Sequence, residues 1–309
     1  MATIVISEFM DETSVRALAA RTDVLYRPDL VDDPAALRAA LADCRALIVR
    51  NRTQVRDELL GAAPRLEVVG RLGVGLDNID VQGCKAQGVE VYPATGANDD
   101  AVAEYVACAA LSLLRKAFLG GAEVAAGKWP RAAMIGHEIA GRRAGMVGFG
   151  GTARKAAGRL AALGMSIAAY DPLLPDEHAA WQAAERMTLQ DLLASCDVIS
   201  LHVPLTAQTR HMIDSEALSL MRKEAVLINA ARGGVVDEAA LAEALKAGNI
   251  AGAALDVFEY EPLDAAHGKL FDGVKNLILT PHIAGVTAES NVRVSRKIEE
   301  LVSNALKIG

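Results

Sequence analysis

The sequence predicts an α/β fold made of two doubly wound parallel-sheet domains, one inserted into the other. Three observations predict it. Short apolar runs of strand length alternate with amphipathic helical stretches from Thr3 to Leu306, the pattern of a parallel sheet covered by helices. A glycine-rich turn, Gly148-Phe149-Gly150-Gly151-Thr152-Ala153, joins an apolar run to a helical pattern in mid-chain. No second turn of that kind occurs, so the N-terminal unit is related in class but differs at this feature.

Taken in order, strands are expected at Thr3–Ser7, Ala46–Val49, Glu67–Gly70 and Val89–Val91. Helices lie between them at Asp11–Ala20, Pro34–Ala42, Val55–Ala62 and Val81–Gln87. This unit ends near Thr95-Gly96-Ala97-Asn98. A long helical pattern follows from Asp99 to about Phe118, apolar nearly all round, as expected of a helix buried between domains. After Gly127-Lys128-Trp129-Pro130 the second unit continues with strands at Ala144–Val147, Ser166–Tyr170, Asp197–Leu201, Ala225–Asn229, Ala251–Leu255 and Leu277–Thr280, and a helix at Asp237–Lys246. The final helical pattern, Ala288–Leu306, is expected to return to the first domain. The division is therefore 1–98 with 286–309, and 99–285. Two crossings between domains imply a hinged cleft, a place where a cofactor and a small substrate meet away from water.

The stretch Arg143–Asp171 supplies strand, glycine turn, helix, strand and terminal acid, the parts of a dinucleotide-binding βαβ unit. Gly148 turns the chain tightly, and Gly150 has no Cβ to hold a pyrophosphate away from the backbone. The helix that follows offers free N–H groups and the positive end of its dipole. Ala153 stands where helix and strand must pack closely. Asp171 lies about 20 residues on, the spacing of an acid that accepts hydrogen bonds from the adenosine ribose. A carboxylate there repels a 2′-phosphate and favours NAD over NADP, with Arg154 and Lys155 pulling the other way. A plain structural βα turn is the competing reading of the glycines alone.

Composition sets further bounds. The chain has 309 residues, 52% hydrophobic and 23% charged, with a formal net charge of −7. That charge offers no basic surplus to displace counterions from nucleic acid. Cys44, Cys84, Cys108 and Cys196 form no CxxC or Cys/His cluster, so buried, reduced thiols and no metal site are expected. The most apolar long stretch, Ala101–Leu119, is broken by Glu104, Arg115 and Lys116 and does not read as a membrane span. No N-terminal segment reads as a signal peptide. A cytoplasmic location is expected.

Several residues with chemical potential follow strands, at the sheet edge where open α/β folds bind ligands. Arg232, in Asn229-Ala230-Ala231-Arg232-Gly233-Gly234, has a fork of donors that suits a carboxylate; an ordinary surface ion pair is the alternative. His282, in Thr280-Pro281-His282-Ile283-Ala284-Gly285, is of a residue type that exchanges protons near neutral pH; a satisfied loop histidine is the alternative. Asp256 and Glu261 are candidate carboxylate partners for it, and Glu259 cannot be told from Glu261 by periodicity. In the first domain, Leu72-Gly73-Val74-Gly75-Leu76-Asp77 reads equally as an anion-binding nest or as a plain turn.

At these residues the chain resembles the D-2-hydroxyacid dehydrogenase family, in its phosphoglycerate dehydrogenase-like branch. The resemblance rests on Arg71–Asp80, the glycine turn with Asp171, Val203-Pro204-Leu205-Thr206, Ile228–Asp237, Leu255-Asp256-Val257-Phe258, Glu261-Pro262 and Pro281–Gly285. It implies a Rossmann-type NAD domain inserted into a flavodoxin-like substrate domain. It implies that Arg232 binds the carboxylate and carbonyl of a 2-oxo acid, that His282 carries the proton, and that Glu261 tunes His282. Gly73, Val74 and Gly75 match positions at the substrate carboxylate. Val74, Gly148, Gly150, Gly151, Thr152, Asp171, Val203, Ala230, Ala231, Arg232, Asp256, His282 and Gly285 match positions that line the NAD site. A homodimer through the cofactor domain is implied too. The chain ends at Gly309, so serine feedback through a C-terminal regulatory domain is not implied.

Arg50 and Arg52, in the loop after a first-domain strand, match positions that contact the far end of the substrate. They suggest a second anionic group there, phosphate, sulfonate or carboxylate, as in sulfolactate dehydrogenases. One arginine paired with a nearby acid and one solvated is the alternative. The expected activity is NAD-dependent interconversion of a small 2-hydroxy acid and its 2-oxo acid. A glyoxylate or hydroxypyruvate reductase is the rival within the class, and an NAD(H)-sensing scaffold or co-repressor the rival outside it.

Overall fold

The computed structural model describes residues 3–118 and 120–308. It divides into two compact units, one running to Asn98 and resuming at Val286, the other Asp99–Gly285.

The first unit runs β1 (Ile4–Ile6), α1 (Glu12–Ala19), β2 (Val24–Tyr26), α2 (Pro34–Leu41), β3 (Ala46–Val49), α3 (Asp57–Gly61), β4 (Val68–Arg71), α4 (Val81–Ala86) and β5 (Glu90–Pro93). Every strand pair is parallel, in the order β2-β1-β3-β4-β5. Asp11, Asp33 and Asp80 start α1, α2 and α4 by accepting from the amides of Thr13, Ala36 and Gly83, which satisfies N–H groups the helix cannot use. Ile4, Val5 and Ile6 of β1 and all four residues of β3 are fully buried. Both faces of these strands are covered, which is why they read as continuous apolar runs. One face packs Val5, Leu47, Val49 and Val69 against Leu37 and Leu60. The other packs Ile4, Ile6, Ile48 and Val68 against Val294, Ile298 and Val302 of the last helix.

The second unit runs α5 (Asp99–Arg115), α6 (Gly121–Ala125), β6 (Arg143–Val147), α7 (Gly151–Ala162), β7 (Ser166–Tyr170), β8 (Glu185–Arg186), α8 (Leu189–Ser195), β9 (Val198–Leu201), α9 (Ser215–Leu220), β10 (Val226–Asn229), α10 (Glu238–Ala247), β11 (Gly252–Leu255), α11 (Ala265–Gly268) and β12 (Leu277–Leu279). Its sheet is parallel in the order β12-β11-β10-β9-β6-β7-β8. The strand order reverses on either side of β6, which makes the carboxyl end of β6 the switch point where such sheets bind ligands. The last helix, α12 (Ala288–Leu306), belongs to the first unit and is closed at its start by a Thr287–Ser290 capping box.

Sequence and structure differ at several places. The half-buried edge strand β2 is short and lies in a loop-like context, so its three residues carry little periodic signal. The helix expected over Val55–Ala62 begins only at Asp57, because Val55 pairs in a parallel bridge with Ile79. α8 and α9 are absent from the sequence reading, although Thr188 and Asp214 cap them. α5 is not apolar all round in effect. Val102, Val106, Ala110, Leu113 and Leu114 are buried in the core of its own unit, while Glu104, Cys108 and Arg115 are exposed. Cys108 therefore departs from the expectation of four buried thiols, which holds for Cys44, Cys84 and Cys196.

Candidate active site

The cofactor unit presents its glycine turn at the end of β6. Gly148 has φ 86°, and a Cβ there would lie 2.8 Å from the carbonyl oxygen of His202 and 3.1 Å from a methyl of Val203. Only glycine fits that position. A Cβ on Gly150 would meet nothing within 4 Å, so the space in front of the turn is open. Unlike α8, α9 and α10, α7 has no side-chain cap; its N-cap is Gly150. The amides of Gly150, Gly151 and Thr152 have no acceptor among the described residues. Open space, uncommitted amides and the helix dipole together fit a pyrophosphate. Gly150→Val is therefore expected to leave the melting temperature close to wild type and to weaken NADH binding by at least about tenfold, checked by NADH fluorescence titration. Unchanged affinity would remove the turn from the cofactor site.

Asp171 stands just beyond β7. One carboxylate oxygen accepts from the Phe149 amide at 2.8 Å and the other from the Leu173 amide at 2.9 Å. The acid is thus tied to the glycine turn itself. Each oxygen keeps a further lone pair, in keeping with a ribose contact. Phe149 is buried and stacks on Trp181 at 5.7 Å between ring centroids, which fixes the turn from behind. Lys155, one of the two basic residues that argued for NADP, is held by Asp100 at 2.7 Å. Arg159 bonds the same acid at 3.0 Å. Thr152 donates its hydroxyl to Asp99 at 2.7 Å.

Val203, Ala230 and Ala231 follow β9 and β10 on the same sheet edge and are half-buried. The Asn229 side chain spans the turn after β10, accepting from the Ala231 amide and donating to the Arg232 carbonyl at 3.1 and 3.0 Å. Arg232 Nη1 donates to the Ala231 carbonyl at 2.5 Å. A Cβ on Gly233 would lie 1.8 Å from the carbonyl oxygen of Phe258. That close approach seats the arginine turn directly against the loop that carries Glu261.

His282 and Glu261 meet. The imidazole Nδ1–H donates to Glu261 Oε2 at 2.7 Å, and Glu261 Oε1 accepts from the Phe258 amide at 2.9 Å. Burial pushes the Glu261 carboxyl up, but the bonds from His282 and Phe258 and the charges of His282 and Arg232 outweigh it. The net effect holds it below the usual carboxylate range. The anchor on His282 is therefore present above the ordinary glutamate pKa and is lost only as pH falls through the lowered one. His282 has φ 55°, and its Nε2 has no partner among the described residues.

Asp256 does not act as a partner to the imidazole. Its buried carboxylate accepts from the Thr280 hydroxyl at 2.6 Å and from the amides of Ile283 and Ala284 at 2.8 and 2.7 Å. Its carbonyl accepts from the His282 amide at 2.8 Å. Asp256 thus holds the backbone of the Thr280–Gly285 loop, with Tyr105 bonded to Thr280 at 2.7 Å. The glutamates that periodicity left unresolved are separated, since Glu259 accepts from His211 at 2.7 Å.

In the first unit, the loop after β4 carries Gly73, Val74 and Gly75. The Gly73 amide is used by Arg71 and its carbonyl by Ala94. The amides of Val74 and Gly75 have no acceptor among the described residues, the condition for an anion nest. The two arginines after β3 part company. Arg52 is exposed and paired with Asp32. Arg50 is half-buried, with Nη2 bonded to Asn291 Oδ1 at 2.6 Å and its guanidinium 5.7 Å from the Phe9 ring centre. Glu8, Asn78 and Asn291 also take part here; Asn78 falls within the Arg71–Asp80 motif but was given no role of its own, and Glu8 and Asn291 were not singled out in the sequence. Glu8 had a usable signal, an acid directly after a strand at the ligand edge. Asn291 had none.

Among the described residues no helix is long and apolar enough to cross a membrane, and no group of three or more His, Cys, Asp or Glu is placed to hold a metal ion.

Residues 107–284 match the model of the NAD-binding domain of D-isomer specific 2-hydroxyacid dehydrogenases. The chain is 52% identical over 309 residues to the (S)-sulfolactate dehydrogenase of Chromohalobacter salexigens, covering 100% of this chain and 99% of that one. It is 39% identical over 305 residues to the D-3-phosphoglycerate dehydrogenase of Mycobacterium tuberculosis, covering 98% of this chain and 56% of that longer relative. Among solved structures, the D-lactate dehydrogenase of Aquifex aeolicus, complexed with NAD and lactic acid, is 27% identical with a TM-score of 0.86, over 98% of this chain and 95% of that one. With the uncapped helix at Gly150, the tethered Asp171 and full-length similarity in hand, the chain belongs to the D-isomer specific 2-hydroxyacid dehydrogenase family and is an NAD-dependent oxidoreductase.

Proposed function

We propose that the chain interconverts a small 2-hydroxy acid bearing a second anionic group, such as 3-sulfolactate or 3-phosphoglycerate, and its 2-oxo acid. The observation that carries this reading is Arg50. Its guanidinium is half-buried, bonded to a neutral asparagine, and makes no ion pair among the described residues. Burial lowers its pKa, with the charge of Glu8 opposing. A partly desolvated cation without a paired anion carries part of the cost of a buried charge, and a sulfonate, phosphate or carboxylate on the substrate would complete it. The 52% identity to a protein named for (S)-sulfolactate supports the same reading. Arg52, already neutralised by Asp32, contributes less.

In this proposal the first unit is the substrate-binding domain and the amides of Val74 and Gly75 take the substrate carboxylate. In the cofactor domain Arg232 orients the carboxylate and carbonyl by two-point contact. His282, held by Glu261 through Nδ1, gives a proton from Nε2 to the carbonyl oxygen on reduction and takes it back on oxidation. Gly148, Gly150, Gly151, Thr152, Asp171, Val203, Ala230, Ala231, Asp256 and Gly285 hold or border the dinucleotide. Bound NADH supplies the hydride for C2, and NAD accepts it in the reverse direction. The test is a panel of 3-sulfopyruvate, 3-phosphohydroxypyruvate, hydroxypyruvate and glyoxylate with NADH. Preference for glyoxylate or hydroxypyruvate would sink the distal anion and favour the reductase reading.

The reading includes a homodimer through the cofactor domain. Exposed Phe118, Val124, Trp129 and Ile135 support it, with Phe118, Trp129 and Ile135 each at least 74% exposed, because so many large apolar side chains in one stretch mark an interaction surface. Light scattering behind size exclusion is expected to give twice the chain mass; a monomer at micromolar concentration would contradict it. A cytoplasmic location also belongs to the proposal, supported by four unpaired cysteines, and cell fractionation checks it.

A further inference from the structure

We infer that Glu8 is a positioning residue that sets Arg50 for the distal anion of the substrate; the inference rests on the proposed reading of Arg50. Glu8 lies two residues beyond the end of β1 and is 5% exposed. Its Oε1 accepts from the amides of Arg50 and Thr53 at 2.9 and 3.0 Å, and its Oε2 from those of Arg52 and Asn51 at 3.1 and 3.3 Å. Four consecutive amides converging on one point form the kind of concavity that takes an external anion. Here an internal carboxylate fills it.

Two consequences follow. The backbone of the Arg50–Thr53 loop is consumed by Glu8, so this loop meets a substrate anion only through side chains. The position of Arg50 is also fixed twice from the same dipeptide. Glu8 holds its backbone amide, and Phe9 lies 5.7 Å under its guanidinium. Asn78 secures the loop from the other side, donating to the carbonyls of Thr53 and Arg50 at 2.7 and 3.3 Å. Only a carboxylate satisfies this arrangement. Its two oxygens offer about four lone pairs to four donors, whereas a glutamine turns one end into an N–H donor facing amides. Losing that match leaves buried donors unsatisfied and frees the loop.

The test uses the full-length enzyme with NADH and compares Michaelis constants for 3-sulfopyruvate and hydroxypyruvate, which differ in the distal group. Glu8→Gln is expected to raise the constant for 3-sulfopyruvate about tenfold while hydroxypyruvate stays within about twofold. Glu8→Asp keeps the charge and both oxygens on a shorter arm, and is expected to give an intermediate ratio. It also reports if the glutamine variant does not fold. A loss of fold stability alone would lower turnover on both substrates and leave the ratio unchanged. Arg50→Ala run in parallel separates the two levels. If Arg50→Ala collapses the preference and neither Glu8 variant moves it, the inference about Glu8 is wrong and the reading of Arg50 stands. If Arg50→Ala leaves the preference intact, both are wrong.

Discussion

His282→Ala is expected to lower kcat for reduction of the 2-oxo acid by about 10³-fold, within the 10²–10⁴ that positioned proton transfer contributes. Affinity for NADH, read by fluorescence titration, is expected to stay within about threefold. The expectation rests on the geometry of one side chain. Glu261 takes Nδ1 at 2.7 Å, which fixes the ring and commits its tautomer. Nε2 is then the nitrogen left to serve the substrate. Because the lowered pKa of Glu261 keeps it ionised, the anchor persists through neutral pH. The loop that carries His282 is held independently by Asp256 at Ile283 and Ala284, so removing the imidazole leaves the backbone in place. A variant retaining near-wild-type turnover would take His282 out of the mechanism.

Arg232→Lys is expected to cost about 10²–10³ in kcat/KM, or roughly 3–4 kcal/mol of transition-state stabilisation. Lysine keeps the charge but loses the planar fork, so two-point contact with a carboxylate becomes a single point charge. Its effect should exceed that of a simple charge change because the turn is so tightly placed. Asn229 bonds both sides of it, and Gly233 abuts the Phe258 carbonyl. There is little room for a shorter, differently shaped cation to find the same point. Steady-state kinetics with 3-sulfopyruvate and hydroxypyruvate would show the loss on both, since both carry the carboxylate and carbonyl that Arg232 is proposed to orient. A loss confined to KM for the anionic substrate would reassign Arg232 to the distal group.

How much of this was legible in the sequence depends on the range of the interaction. The parallel-sheet class was legible because β1 and β3 are buried on both faces and leave continuous apolar runs, and β6, β9 and β10 are buried and mostly apolar. The glycine turn was legible because strand, turn, helix and Asp171 are local in sequence. β2 was not, being three half-buried residues at an edge. Nor was the one-sided burial of α5, whose alanines and Cys108 look alike in composition whether they face a core or solvent. The choice between Glu259 and Glu261 required the fold of the Phe258–Pro262 loop, which sends the two carboxylates to different histidines. Arg50 and Arg52 were likewise equivalent on paper. What separates them is distant in sequence, Asp32 for one and Asn291 for the other.

One measurement tests the distal anion most directly. Oxidation of NADH by the wild-type enzyme, with 3-sulfopyruvate, 3-phosphohydroxypyruvate and hydroxypyruvate compared at equal enzyme, gives kcat/KM for each. At least one of the two anionic substrates is expected to exceed hydroxypyruvate by about tenfold or more, the scale of one charge-assisted contact. Equal or better use of hydroxypyruvate than of either anionic substrate would contradict it.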